Sequence, residues 1–206
     1  MGLYDSYVLP RLTNFFMRGK AFTTERAKLV PLASGKVLEV GMGSGLNIPF
    51  YGRNVEKLFG LDTSLQLWKM GHKRVDHAPF AVEFIRSSGE GVPMVAESFD
   101  TVVTTWTLCT IPNVMSALKE IKRVLRPQGS FIFIEHGASP DLSVLAWQNR
   151  LNRFWRYVGG GCNLNRKIDD LIVAAGFRIT QIEKGYITGP KPFVYLYRGV
   201  ACKGPY

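Results

Sequence analysis

Between residues 36 and 135 the chain alternates short runs rich in Val, Ile, Phe and Thr with stretches of helical period. The runs at 36–40 (KVLEV), 57–61 (KLFGL), 81–85 (AVEFI), 101–106 (TVVTTW) and 130–135 (SFIFIE) predict five strands. The clearest helical pattern covers 113–125, with Val114, Ala117, Leu118, Ile121, Val124 and Leu125 on one face and Lys119, Glu120, Lys122 and Arg123 on the other; it stops at Arg126-Pro127-Gln128-Gly129. A weaker amphipathic helix is predicted over 64–78, burying Leu65, Trp68 and Val75. Strands and helices alternating at this spacing imply βαβ units and a parallel sheet, with ligands at the carboxyl ends of the strands.

Beyond residue 136 the pattern changes. An aromatic and basic helix is predicted over 141–157, followed by Gly159-Gly160-Gly161 and then a helix with Asn165 as its N-cap and Gly176 as its stop. The last two runs, 177–183 and 193–200, flank a loop containing Gly189-Pro190 and Pro192, a connection that permits an antiparallel pair. The chain shows no internal repeat and no second-domain linker, so one domain is expected.

Composition narrows the class. The sequence has 206 residues, 46% of them hydrophobic, which is enough chain for a sizeable core, and its apolar runs are too short to span a bilayer. A cytoplasmic chain without a secretory leader is expected, because Arg11, Arg18, Lys20, Arg26 and Lys28 interrupt any apolar signal region. Cys109, Cys162 and Cys202 form no C-x-x-C and have no nearby His in the sequence; they read as reduced thiols, with no disulfide frame and no metal site. The 26 Lys and Arg against 16 Asp and Glu give a net charge of +10, and residues 41–140 hold only +1 of it. The excess therefore sits on the flanks, where it suits an anionic acceptor or surface as well as plain solubility.

The chemistry starts at the first strand's end. Glu39-Val40-Gly41-Met42-Gly43-Ser44-Gly45 places glycines at alternate positions between a strand and a helix, which lets the backbone approach a nucleotide-like ligand. The G-x-G-x-G spacing lacks the third glycine position of dinucleotide-binding loops, and no P-loop Lys-Ser/Thr follows. Asp62, at the end of the second strand, stands where a ribose would be held by its hydroxyls, or where an N-cap would sit. A ligand with a ribose and no pyrophosphate is expected.

Glu39 to Gly45, Asp62, the segment 98–103 (SFDTVV) and the segment 121–135 together resemble the class I S-adenosylmethionine-dependent methyltransferases, over about residues 30 to 200. The branch most resembled contains quinone C-methyltransferases, phospholipid N-methyltransferases and thiol S-methyltransferases; Thr107-Leu108-Cys109-Thr110, Glu135-His136 and the segment 161–166 look most like the thiol enzymes. The resemblance implies an α/β, Rossmann-like, seven-stranded sheet, mostly parallel with an antiparallel last strand, and helices on both faces. It implies a helical cap from residues 1–30 over the active site and a catalytic domain from 31–206. S-adenosylmethionine would be framed by Gly41, Gly43 and Gly45 with Glu39 nearby, its ribose held by Asp62 and its adenine flanked by Thr63. Ser88 stands where the family has an acid toward the adenine, which leaves Gly89 and Glu90 as substitutes. Thr105 and Trp106 would pass close to the reactive sulfonium.

His136, directly after the fifth strand, is the candidate general base for a thiol or hydroxyl acceptor, since histidine is suited to proton transfer near neutral pH. Glu135 could instead hold an amine, as a phospholipid N-methyltransferase would require. A nucleic-acid acceptor is not expected: the segment 106–112 (WTLCTIP) lacks the Pro-Pro-aromatic sequence of amino-group DNA methyltransferases. The remaining alternative is a cofactor-binding module without catalysis. A small or lipid acceptor is thus expected, with possible peripheral membrane contact through the aromatic, basic flanks and an oligomeric state that the sequence leaves open.

Overall fold

The computed structural model describes residues 4–204, with the side chains of residues 5 and 6 left aside; residues 1–3 and 205–206, the outer ends of the two predicted segments, lie outside the description. A single sheet of seven strands has the order β3-β2-β1-β4-β5-β7-β6. Its strands are β1 (Gly35–Val40), β2 (Val55–Asp62), β3 (Ala81–Arg86), β4 (Phe99–Thr105), β5 (Leu125–His136), β6 (Phe177–Tyr186) and β7 (Tyr195–Lys203). The first five pair in parallel, and β7 runs antiparallel to both β5 and β6. This is the Rossmann-like α/β architecture expected from the sequence.

Parallel register brings five strand ends to one edge. Val40 pairs with Leu61 and Thr104, Asp62 pairs with Arg86, and Thr105 pairs with Ile134. The glycine loop, Asp62, Trp106 and His136 consequently leave the sheet on the same side.

The helices are α1 (Leu9–Phe16), α2 (Lys20–Leu29), α3 (Leu65–Met70), α4 (His72–Asp76), α5 (Val114–Val124), α6 (Leu142–Val158) and α7 (Ile168–Ala174). On one face of the sheet the predicted stripe Val114, Ala117, Leu118, Ile121 and Val124 of α5 packs with Ile168 and Ile172 of α7; the other face is covered by Leu29, Val30, Met42, Ile48, Trp68 and Val75. Asn113 caps α5 by accepting from the Ser116 N–H, and Asp141 caps α6 by accepting from Ser143 and Val144.

Several local expectations are corrected. The single helix predicted over 64–78 is split at Gly71, because a Cβ there would lie 2.7 Å from the Ser44 carbonyl oxygen; the chain turns where it must pass the glycine loop. Leu65, predicted to be buried, is exposed, whereas Trp68 stacks on Phe84 with ring centroids 4.4 Å apart. Asn165 does not cap α7, which starts after Lys167; its side chain donates to Asn149 on α6 instead. Both final strands are longer than predicted, and Phe193 lies in the helical turn Lys191–Phe193 rather than in β7.

Candidate active site

The glycine loop is a turn that only glycine fits. Gly41, Gly43 and Gly45 have φ of 78°, 56° and 68°. Their surroundings differ. A Cβ on Gly41 would lie 2.1 Å from Thr107 Oγ1 and one on Gly45 would lie 2.8 Å from Ile48 Cδ1, so these two permit close packing of the loop on its own protein. At Gly43 the nearest atom would be Leu67 Cδ1 at 3.7 Å. Gly43 therefore lies beside an open cradle that a side chain would fill.

Asp62 fixes that cradle. Its Oδ2 accepts from the Gly43 N–H at 2.7 Å and its Oδ1 from the Ser64 N–H at 2.7 Å. Burial pushes its carboxyl above the ordinary range, while the backbone donors oppose the shift. Each oxygen retains a second acceptor site, so one carboxylate can shape the loop and still take ribose hydroxyls. The same residue thus serves both readings of the sequence, with Ser64 as the N-cap of α3. Thr63 is exposed next to it.

Glu39 is buried beneath the loop, with its oxygens accepting from Tyr51 Oη at 2.7 Å and Asn47 Nδ2 at 2.9 Å. Asn47 also donates to Thr105 Oγ1 at 3.0 Å and accepts from Arg26 Nε at 3.0 Å. Burial raises the Glu39 carboxyl to about 7 and lowers the Arg26 guanidinium to about 10. This network ties α2, the loop and β4 together; Glu39 anchors the cradle from below. Arg26, Asn47 and Tyr51 carried no motif and were legible only once the fold placed them.

Gly89 packs into the core, where a Cβ would come within 2.8 Å of Val40 Cγ1, and the Glu90 carboxylate accepts from the Asn113 N–H at 2.6 Å at the start of α5. Ser88 accepts from the Glu90 N–H at 3.2 Å. This turn closes the side of the cradle beyond β3.

At the opposite side Trp106 adopts φ 52°, a left-handed conformation that is uncommon for a bulky residue and is concentrated at functional sites. Its backbone N–H donates to the Ile134 carbonyl at 2.7 Å, Phe22 packs edge-on at 5.2 Å and Arg26 lies 4.8 Å above its ring. His136 faces it with a centroid separation of 6.4 Å. Glu135 is turned the other way: it is fully buried, and its Oε2 accepts from the Cys109 N–H at 3.2 Å.

The separation of His and Cys in the sequence is undone by the fold. Cys162 Sγ stands 3.6 Å from Cys109 Sγ and 3.6 Å from His136 Nδ1. Cys109 and, to a lesser degree, His136 hold the Cys162 thiol well below the ordinary cysteine range. Cys202 lies apart from them, near the Arg178 carbonyl.

The N-terminal helices reach this edge. Asn14 on α1 accepts from Ser44 Oγ at 2.7 Å, and Arg26 on α2 donates to the Met17 carbonyl at 2.8 Å. Tyr4 Oη donates to the Val158 carbonyl at the end of α6 at 2.7 Å.

Residues 38–133 match the family model described as a methyltransferase domain. The human thiol S-methyltransferase TMT1A is 33% identical over 206 residues, covering 95% of this chain and 80% of its own length. Phosphatidylethanolamine N-methyltransferase from Cereibacter sphaeroides is 28% identical, with 70% of this chain and 73% of that protein covered. In fold, the YcgJ protein from Bacillus subtilis superposes with a TM-score of 0.67 at 17% identity, over 84% of this chain and 94% of its own. With the open glycine cradle and the ribose-competent Asp62 beside it, these likenesses settle the family: the chain belongs to the class I S-adenosylmethionine-dependent methyltransferases, an enzyme family whose cofactor is S-adenosylmethionine.

Proposed function

We propose that this enzyme methylates a small, apolar thiol or hydroxyl acceptor, with thiol favoured. The observation that carries the reading is the division of labour at the end of β5: His136 faces Trp106, whereas Glu135 is buried and turned to the Cys109 backbone. A carboxylate is what an amine acceptor needs as positive charge develops on nitrogen, and this one is fully buried with its Oε2 taken by the Cys109 N–H. The relatives named thiol S-methyltransferases support the choice of sulfur.

When bound, S-adenosylmethionine supplies an electrophilic methyl group on a sulfonium. The residues of the chain do the rest. Gly43 leaves room for the methionine part, Asp62 takes the ribose hydroxyls, and Thr63, Gly89 and Glu90 border the adenine. Thr105 and Trp106 flank the transfer line. His136 accepts the acceptor's proton at Nε2, a buried nitrogen with no hydrogen-bond partner among the described residues. Alignment of acceptor, methyl and leaving sulfur by such a frame supplies about 7–11 kcal/mol of the barrier. Helices α1 and α2 act as a cap over the strand ends and keep water out. A panel of thiol, phenol, amine and phospholipid acceptors, read by release of S-adenosylhomocysteine, tests the reading: thiols should turn over fastest, and turnover with amines or phospholipid alone would overturn it.

A second feature favours delivery of the acceptor at a lipid surface. Among the described residues no helix is long and apolar enough to cross a membrane. Yet Phe15 (72% exposed) on α1 and Phe154 (67%) and Tyr157 (81%) on α6 stand in solvent, accompanied by Arg11, Arg18, Arg153 and Arg156. The two helices meet where a Cβ on Gly160 would touch Leu9. Aromatic residues set among basic ones suit an interface, where each basic residue contributes about 1 kcal/mol near anionic lipid. Sedimentation with vesicles should show binding to anionic liposomes that salt weakens; equal behaviour with neutral vesicles at low and high salt would contradict docking.

A further inference from the structure

We propose that Cys109, His136 and Cys162 form a binding site for a zinc-class divalent cation, held by two thiolates and one imidazole with a fourth coordination position left open. The three donors come from separate elements: the loop after β4, the end of β5 and the loop after α6. Their ligand atoms all lie within 4.8 Å of one another. Two of the three separations have the size such a site demands. Sulfur at ~2.3 Å and nitrogen at ~2.0–2.1 Å from a tetrahedral zinc stand about 3.8 Å (S to S) and about 3.6 Å (S to N) apart. The observed edges are 3.6 Å from Cys162 Sγ to Cys109 Sγ and 3.6 Å from Cys162 Sγ to His136 Nδ1.

The scaffold holds these donors firmly. Cys109 is 0% and Cys162 6% exposed, and Leu164, Trp155 and Phe193 pack around them. The Asn163 N–H and Nδ2 both donate to the Cys109 carbonyl, at 2.8 and 2.9 Å, which clamps the Cys162 loop against the Cys109 loop. Arg166 donates to the Leu108 and Ile111 carbonyls and fixes the same turn from outside. Two soft thiolates with one imidazole select a borderline-soft ion such as zinc over magnesium or calcium. Both sulfurs bind as thiolates, so a divalent ion leaves the buried group neutral.

A cation on Nδ1 keeps the proton on Nε2, so the metal-loaded state of His136 and its general-base state exclude each other. The site is therefore tested without acceptor or cofactor, and its failure leaves the methyl-transfer reading untouched. The full chain, reduced and stripped of metal by a chelator, is titrated with Co²⁺. Saturation at a single equivalent is expected, with a strong thiolate-to-cobalt charge-transfer band and the visible bands of tetrahedral cobalt, displaced one for one by Zn²⁺. Cys109→Ser, Cys162→Ser and His136→Gln should each weaken binding at least tenfold, with Cys202→Ser unchanged. Absence of the charge-transfer band in the unaltered chain would overturn the proposal without recourse to any variant, and so would a band that depends on Cys202.

Discussion

Gly43→Val is expected to lower S-adenosylmethionine affinity by roughly a hundredfold or more, equivalent to about 2.7 kcal/mol, while the sheet stays folded. Of the three loop glycines, only Gly43 would carry a Cβ without a clash, its nearest atom being Leu67 Cδ1 at 3.7 Å. A valine there fills the cradle from which the loop backbone meets the cofactor. Its own cost to folding is the left-handed backbone at φ 56°, ~1–2 kcal/mol for a side-chain-bearing residue. Gly41 gives the contrasting case, because a Cβ 2.1 Å from Thr107 Oγ1 would disrupt the protein before any ligand arrives. Asp62→Ala should weaken the cofactor by the loss of charge-assisted hydrogen bonds, each worth ~1.5–3 kcal/mol. Calorimetric titration beside thermal unfolding separates affinity from fold; unchanged affinity in both variants with an intact melt would contradict the assigned site.

His136→Ala is expected to lower turnover with a thiol by ~10²- to 10⁴-fold, the usual loss when an acid–base group is removed, while cofactor affinity stays within error. The neutral imidazole is the competent form of a base. Turnover retained in the variant would return His136 to a structural role. His136→Gln gives a control of similar size, which distinguishes loss of proton transfer from loss of packing against Trp106.

Local pattern made much of this legible. Five strands, the α5 stripe and the glycine loop each reside in a few consecutive residues, and parallel register then gathers Gly43, Asp62, Trp106 and His136 at one edge. What escaped depends on tertiary approach. Gly71 divides a helix because Ser44 passes close by, a contact made by the glycine loop and absent from the helix's own periodicity. Asn165 has the chemistry of a cap, but the Asn149 side chain on α6 claims it. Cys109, His136 and Cys162 form no sequence motif, since a strand turn, a strand end and a post-helix loop each contribute one donor. The Arg26–Asn47–Glu39–Tyr51 network was equally silent, its members being brought together only when α2 folds over the loop. The strained backbone of Trp106 has no signature at all in a sequence.

The central claim, that the edge formed by the glycine loop, Asp62, Trp106 and His136 is where methyl transfer occurs, is tested most directly by a crystal structure with S-adenosylhomocysteine and a thiol acceptor. The account predicts ribose hydroxyls on the Asp62 carboxylate, the amino-acid part against Gly43, and the thioether sulfur between Trp106 and an acceptor sulfur within reach of His136 Nε2. A nucleoside seated elsewhere, or an acceptor on the far side of Trp106 from His136, would contradict it.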